Sequence, residues 1–182
     1  MPKIYLVRHG KAAAGWDTDP DPDLDDLGRQ QAIQAAKSLA PLGPLDIISS
    51  PLARTRETAV PLAELWQQTP RIENRVAEIP SPTADLAERA AWLRGVMANT
   101  WSNLSQDLLD WRQGIFEALY DLQKDTVIFS HFIAINAVAG KAEADERVVG
   151  FLPDNGSITI IETSPSGILM IERGIEAGTK VN

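Results

Sequence analysis

Three short runs, residues 3–7 (KIYLV), 45–49 (LDIIS) and 126–130 (TVIFS), are rich in β-branched and aromatic side chains and barely alternate with polar ones. A strand with one face in water alternates; a strand that stays apolar must be covered on both faces. These runs therefore predict an α/β three-layer sandwich, with a largely parallel central sheet and helices on both faces. The segments between them supply the helices. The stretch LGRQQAIQAAKSLAPLG predicts a helix over about 28–40, capped by Asp25 or Asp26 and stopped by Pro41 and Gly43. After the second run, PLARTRETAVPLAELW opens with Pro51 at a favourable first-turn position. Pro61 is expected to kink or interrupt that helix.

Residues 84–123 follow a different rhythm. Leu86, Ala90, Leu93, Met97, Trp101, Leu104 and Leu108 recur at steps of three and four, and Trp111, Ile115, Leu119 and Leu122 continue them. This predicts two amphipathic helices broken near residues 103–105, with the aromatic residues serving as core. SITIIET and ILMIERG, separated by a turn at 164–167, predict a hairpin. No repeat or linker divides the chain, so a single domain over 1–182 is expected, with 84–123 as a helical insert roofing the site.

A net charge of −8 lacks the basic face of a nucleic-acid binder, and no cysteine is present for disulfides, thiolate chemistry or thiolate metal sites. The chain enters its first strand without a signal-peptide pattern, and no apolar run approaches the roughly 18 residues of a membrane span. A soluble cytoplasmic protein with no membrane or nucleic-acid partner is expected. Nothing in the sequence sets its oligomeric state.

In parallel α/β sheets, sites collect beyond the carboxyl ends of the strands. The first run delivers Arg8, His9 and Gly10 there; the second delivers Ser49, Ser50 and, a turn later, Arg54; the third delivers Ser130 and His131. Both histidines of the chain thus arrive at the same edge. Two imidazoles beside two guanidiniums suit phosphoryl transfer. One imidazole nitrogen attacks phosphorus, while the arginines and the second histidine hold the equatorial oxygens. Gly10 is expected to let the backbone pass beneath the phosphate with its N–H free.

Four motifs in order carry a family resemblance: LVRHG, LDDLGRQQA (24–32), SSPLARTRETA (49–59) and VIFSHF (127–132). Together they resemble the histidine phosphatase superfamily, with its phosphoglycerate-mutase-like fold. The resemblance implies that His9 is the nucleophile, that Arg8 and Arg54 bind phosphate and that His131 is the second histidine. It also implies a carboxyl group that protonates the leaving oxygen, and Glu78 in RVAEIPSP stands where the family places it. Three departures stand out. Gly15 occupies the place of an asparagine found in many mutase-like members, and Lys11 that of a Glu or Gln. Pro80 and Pro82 replace a glycine-rich continuation. The first two favour a small phosphatase over a mutase, with Lys11 a candidate for a second anionic group of the substrate.

The acidic stretch DTDPDPDLDD (17–26) spaces carboxylates like a calcium loop, but Pro22 replaces the required glycine and no glutamate closes it. It is read as a flexible acidic rim and helix cap. DNGS (154–157) predicts a turn, with Asn155 a candidate to face the site. The expected activity is hydrolysis of a phosphomonoester, on a small metabolite or a phosphoprotein, through a phosphohistidine on His9, with no metal and no cofactor. The alternatives are a phosphoglycerate-mutase-type phosphotransferase and a non-catalytic phospho-ligand-binding regulator.

Overall fold

A computed structural model describes residues 1–178. In chain order the elements are β1 (Lys3–Arg8), α1 (Asp26–Leu39), β2 (Asp46–Ser49), α2 (Ala53–Trp66), β3 (Arg71–Ile72), α3 (Leu86–Met97), α4 (Gln106–Tyr120), β4 (Thr126–Ser130), α5 (Phe132–Glu143), β5 (Ile158–Ser164) and β6 (Gly167–Glu172). The sheet order is β3-β2-β4-β1-β5-β6. The first four strands run parallel, and the β5–β6 hairpin adds antiparallel to β1. A two-residue hairpin link suffices for antiparallel neighbours, whereas each parallel step needs a helical crossover.

The apolar runs divide as the pleat dictates, with alternate side chains going to opposite faces. Tyr5 and Val7 join Ile47, Val127 and Phe129 beneath Ala35, Ala36 and Leu39 of α1 and Ala59 and Leu62 of α2. Ile4 and Leu6 join Ile48 and Ile128 on the other face, against Leu93 of α3, Ile115 and Leu119 of α4 and Ile133 of α5. Trp101 is fully buried in that second cluster and Trp92 and Trp111 pack on it, so the aromatic residues are core. Among the described residues no helix is long and apolar enough to cross a membrane.

Three local expectations shift. Asp25 is the cap of α1, its carboxylate accepting from the Gly28 N–H at 2.7 Å. Pro61 does not interrupt α2, which is continuous from Ala53 to Trp66. Pro61 and Glu57, whose carbonyl loses its partner, are only half-buried, so water can take up the lost hydrogen bond. The break in the helical insert is longer than expected. It runs from the end of α3 at Met97 to the Ser105 cap of α4 and holds a short 3-10 turn at Trp101–Asn103.

One contact fixes how α1 meets the sheet. A Cβ on Gly10 would lie 2.3 Å from the Gly28 carbonyl oxygen, and a Cβ on Gly28 would lie 2.2 Å from that of Lys11. Only two glycines allow this backbone crossing. Gly28→Ala should therefore destabilise the fold by about 1–3 kcal/mol or more, as overpacking does. Urea unfolding checks this: an unchanged midpoint would show that the crossing has slack.

Candidate active site

The parallel register decides what lies together. Arg8 pairs with Ser130 and Ser49 with Phe129, so the residues that follow, His9, His131 and Ser50, leave three adjacent strands side by side. The two imidazole centroids are 5.4 Å apart. Arg54 comes from the first turn of α2, and Glu78 from the loop after a 3-10 turn at Asn74–Val76. Arg8, His9, Arg54, Glu78 and His131 are all buried.

His9 is held at both ring nitrogens. Nδ1–H donates to the Gly10 carbonyl at 2.7 Å, and the Arg54 Nε–H donates to Nε2 at 3.2 Å. A carbonyl can only accept and a guanidinium can only donate, so the proton sits on Nδ1 and the lone pair on Nε2. Burial, then the Arg54 and Arg8 charges, push the His9 pKa well below the ordinary 6.5. The outcome is a neutral imidazole whose Nε2 lone pair faces the Arg54 guanidinium.

His131 Nε2 hydrogen-bonds Ser50 Oγ at 2.8 Å. Its Nδ1 lies 3.7 Å from Glu78 Oε2 and has no hydrogen-bond partner. Burial, followed by the charge on Arg54, also drives its pKa well down. Glu78 Oε2 is 3.6 Å from Arg54 Nη2, while Oε1 accepts from the Ile79 N–H at 3.0 Å. Arg8 donates from Nη1 to the Pro153 carbonyl at 2.8 Å and stacks over Phe132. Desolvation lowers its pKa to about 10, partly offset by Glu78 and Asp154. Arg8 Nε, Arg54 Nη2 and His131 Nδ1 are buried polar atoms without a hydrogen-bond partner. Such orphans are rare in folded proteins, and three in one site make a set of donors suited to an oxyanion.

The outer residues behave differently. The Gly10 N–H is not free, as had been expected, because Thr58 Oγ1 accepts it at 3.0 Å. That N–H therefore points to α2, which carries Thr58. Asn155 does reach the site, its Nδ2 donating to the His9 carbonyl at 3.1 Å, so it braces the backbone of His9. Lys11 lies at the rim and pairs with Asp25 at 3.1 Å. The acidic stretch is tethered rather than loose. The Ala13 N–H donates to the Asp23 carbonyl, the Leu24 N–H to Glu57, and the Ala53 N–H to Asp21 at 2.8 Å. Asp21 also lies 3.9 Å from Arg54. Sequence reasoning passed over Thr58 and Asp21, and treated Ser50 only as a strand end. Thr58 had a signal, since it follows Arg54 by four residues on one helix face; Asp21, inside an acidic run, had none.

Arg8, His9, Arg54, Glu78 and Asn155 open into a cavity of about 700 Å³, whereas His131, fully buried, lies behind its lining. From segment 84–123 its wall takes Arg89, Ala90, Arg94 and Met97, all on α3, whereas α4 packs on α5. A groove of about 850 Å³ between α2 and β3 carries neither histidine. Among the described residues, no group of three or more His, Asp or Glu side chains is placed to hold a metal.

The histidine phosphatase superfamily (branch 1) profile matches residues 4–174. The chain belongs to this superfamily. Among its members, a glucosyl-3-phosphoglycerate phosphatase of Mycolicibacterium vanbaalenii is 40% identical over 80 residues, which cover 42% of this chain and 36% of the relative. The chain thus matches little more than a third of that relative's length. A probable phosphoglycerate mutase of Escherichia coli is 28% identical over 159 residues, covering 76% of this chain and 73% of the relative. The solved mycobacterial glucosyl-3-phosphoglycerate phosphatase, in complex with VO3, superposes with a TM-score of 0.74 at 23% identity, over 98% of this chain and 100% of that one. That likeness establishes the phosphoglycerate-mutase-like fold.

Two buried neutral histidines give this superfamily member a pH signature. In the unfolded chain both bind protons as pH falls below 6.5, while the folded state resists. The unfolded state then holds more protons, so their contribution is full above pH 6.5 and drains away as pH falls towards the depressed folded values. Each histidine should remove on the order of 1 kcal/mol of stability between about pH 7.5 and 5.5. Urea melts at both pH values check this: His9→Asn should remove roughly half of the difference and leave the His131 share, and an undiminished difference would mean that His9 is already protonated in the fold.

Proposed function

We propose that this chain is a phosphatase that hydrolyses phosphomonoesters in two steps, with His9 as the nucleophile. The observation that carries the reading is the state of His9: Nδ1–H is fixed on a carbonyl, and the Nε2 lone pair faces the Arg54 guanidinium, with the Arg8 charge also helping to keep the ring neutral. In the first step Nε2 forms a bond to phosphorus as the bond to the alcohol oxygen breaks. Arg8, Arg54 and the His131 Nδ1 edge hold the equatorial oxygens, and Glu78 hands its proton to the departing oxygen. In the second step water attacks the phosphohistidine, Glu78 takes a proton from that water, and inorganic phosphate leaves with His9 neutral again.

Position supports the acid role of Glu78: the side chain is buried, it lines the cavity, and Oε1 is its tether to the backbone. The names of the relatives favour a small phosphorylated metabolite over a phosphoprotein, and a phosphatase over a mutase. The departures at Lys11 and Gly15 point the same way, and Lys11 is in addition neutralised by Asp25. Helix α3 sets specificity, and the enzyme works in the cytoplasm.

Nitrophenyl phosphate turnover tests the chemistry. His9→Ala should lose on the order of 10³-fold or more in kcat. Acid quench of the wild type should trap an acid-labile, base-stable phosphoenzyme. Glu78→Gln should lose about 10²- to 10⁴-fold on an alkyl phosphate but far less on nitrophenyl phosphate, whose leaving group needs no proton. Full activity in His9→Ala would remove the nucleophile assignment. A wild type that releases phosphate from no ester would remove the enzyme reading.

A further inference from the structure

The backbone that leaves β1 is held amide by amide. The His9–Gly10 amide is gripped at both ends: Thr58 Oγ1 accepts its N–H at 3.0 Å, and Asn155 Nδ2 donates to its carbonyl at 3.1 Å. The next amide, Gly10–Lys11, is gripped differently. Its carbonyl accepts the His9 Nδ1–H at 2.7 Å, and its N–H donates to Gln31 Oε1 at 2.8 Å. An amide is planar, with its N–H and C=O pointing in opposite directions, so fixing one end fixes the other. A backbone N–H can only donate, which assigns the oxygen of the Gln31 amide to this contact. Gln31 and the His9 ring are thus the two ends of one hydrogen-bonded chain that runs through a single peptide unit.

Gln31 is built into place. It follows Gly28 by three residues on α1, and the Lys11 backbone rests on Gly28, where a Cβ would lie 2.8 Å from the Lys11 nitrogen. The Lys11 carbonyl accepts the Asp25 N–H at 3.0 Å. A Cβ on Gly156 would lie 3.1 Å from the Gln31 Cβ, and the Gly156 N–H donates to the Arg8 carbonyl at 2.9 Å. Satisfying a donor does not explain the Gln31 contact, because Lys11 is exposed and water can accept its N–H. Water does not hold an amide plane, and Gly10 has no Cβ to resist its rotation. Hydrogen bonds in a chain also polarise one another. An acceptor on the Lys11 N–H makes the Gly10 carbonyl a stronger acceptor in turn, and that pushes electron density through the imidazole towards Nε2.

We infer that Gln31 is a positioning residue for His9: through the Gly10–Lys11 amide it fixes Nδ1–H and strengthens Nε2 as a nucleophile. This rests on the phosphatase reading of the site. As Nε2 gives its lone pair to phosphorus, and the ester oxygen leaves with its bonding pair, the ring gains positive charge and keeps Nδ1–H. The bond from Nδ1–H to the carbonyl then tightens, so Gln31 acts in the transition state rather than on substrate binding.

Gln31→Met keeps the length of the side chain and lacks the acceptor; Gln31→Leu serves if that variant does not fold. The burst of nitrophenol from nitrophenyl phosphate reads phosphoenzyme formation. Its maximal rate should fall by about tenfold or more, the scale typical of a second partner on a functional imidazole. The substrate concentration giving half that rate should stay within about twofold. Gln31→Glu, which restores an oxygen, should recover most of the lost rate. NMR of protein carrying isotope-labelled histidine reads the bond itself: the His9 Nδ1–H signal should move upfield in Gln31→Met and return in Gln31→Glu. A burst rate within about twofold of wild type, a loss confined to substrate binding, or an Nδ1–H signal that does not move overturns the inference. The NMR arm needs no turnover. If the wild type hydrolyses no ester, the phosphatase reading falls, and the Nδ1–H signal still decides whether Gln31 acts on His9.

Discussion

Parallel pairing of β1 with β4 and of β4 with β2 is the constraint on which both the core and the site depend. Its register sends Ile4 and Leu6 to one apolar cluster and Tyr5 and Val7 to the other. A slip of one residue would exchange the two sets and leave each face with the wrong shapes. The same slip would displace His9 from His131 by a strand step of about 3.3 Å, enough to break the geometry of the donors. Core packing therefore fixes the active-site spacing. Two apolar clusters position the polar site, and one of them reaches it through Phe132 beneath Arg8.

The site carries an electrostatic cost that the packing must absorb. Two buried guanidiniums face one buried carboxylate, and both histidines are held neutral. Desolvation works against each charge, and Arg8 and Arg54 repel one another. Part of the cost is offset locally by the Pro153 carbonyl on Arg8, by Asp21 beside Arg54 and by Glu78 between them. The remainder persists as polar atoms with no partner. Stored strain of this kind collects at functional sites and is tolerated because the surrounding core over-determines the fold.

The parts legible in the sequence were those with a strong local pattern. Unalternating strands gave the sheet, and the residue after each strand gave His9, His131 and Ser50. Asp25 followed from its place before a helix. Glu78 came from resemblance alone, because β3 has only two residues and the 3-10 turn beyond it has no periodicity. Pro61 misled because propensity describes an isolated helix, and here a half-buried edge of α2 tolerates the lost bond. The acidic stretch looked loose because its tethers, Glu57 and Ala53, lie about thirty residues away in sequence. Long-range partners of this sort leave no trace in a local window.

Gly10 shows how far tertiary packing redirects a motif. A glycine after a strand invites a backbone nest for phosphate, but the Gly10 N–H is taken by Thr58, and the Ala53 N–H at the start of α2 is taken by Asp21. Two nearby backbone donors are thus withdrawn from the cavity. The cavity is left with side-chain donors: planar arginine forks on rigid elements and, behind them, an imidazole fixed by Ser50. Forks recognise oxygens at a set angle and keep their charge at any working pH, which a backbone nest does not combine. A site built this way presents donors of fixed direction around Nε2 of His9. It leaves the remainder of the substrate to be selected by whatever lines the outer cavity, and here that lining is α3 facing the tethered acidic stretch.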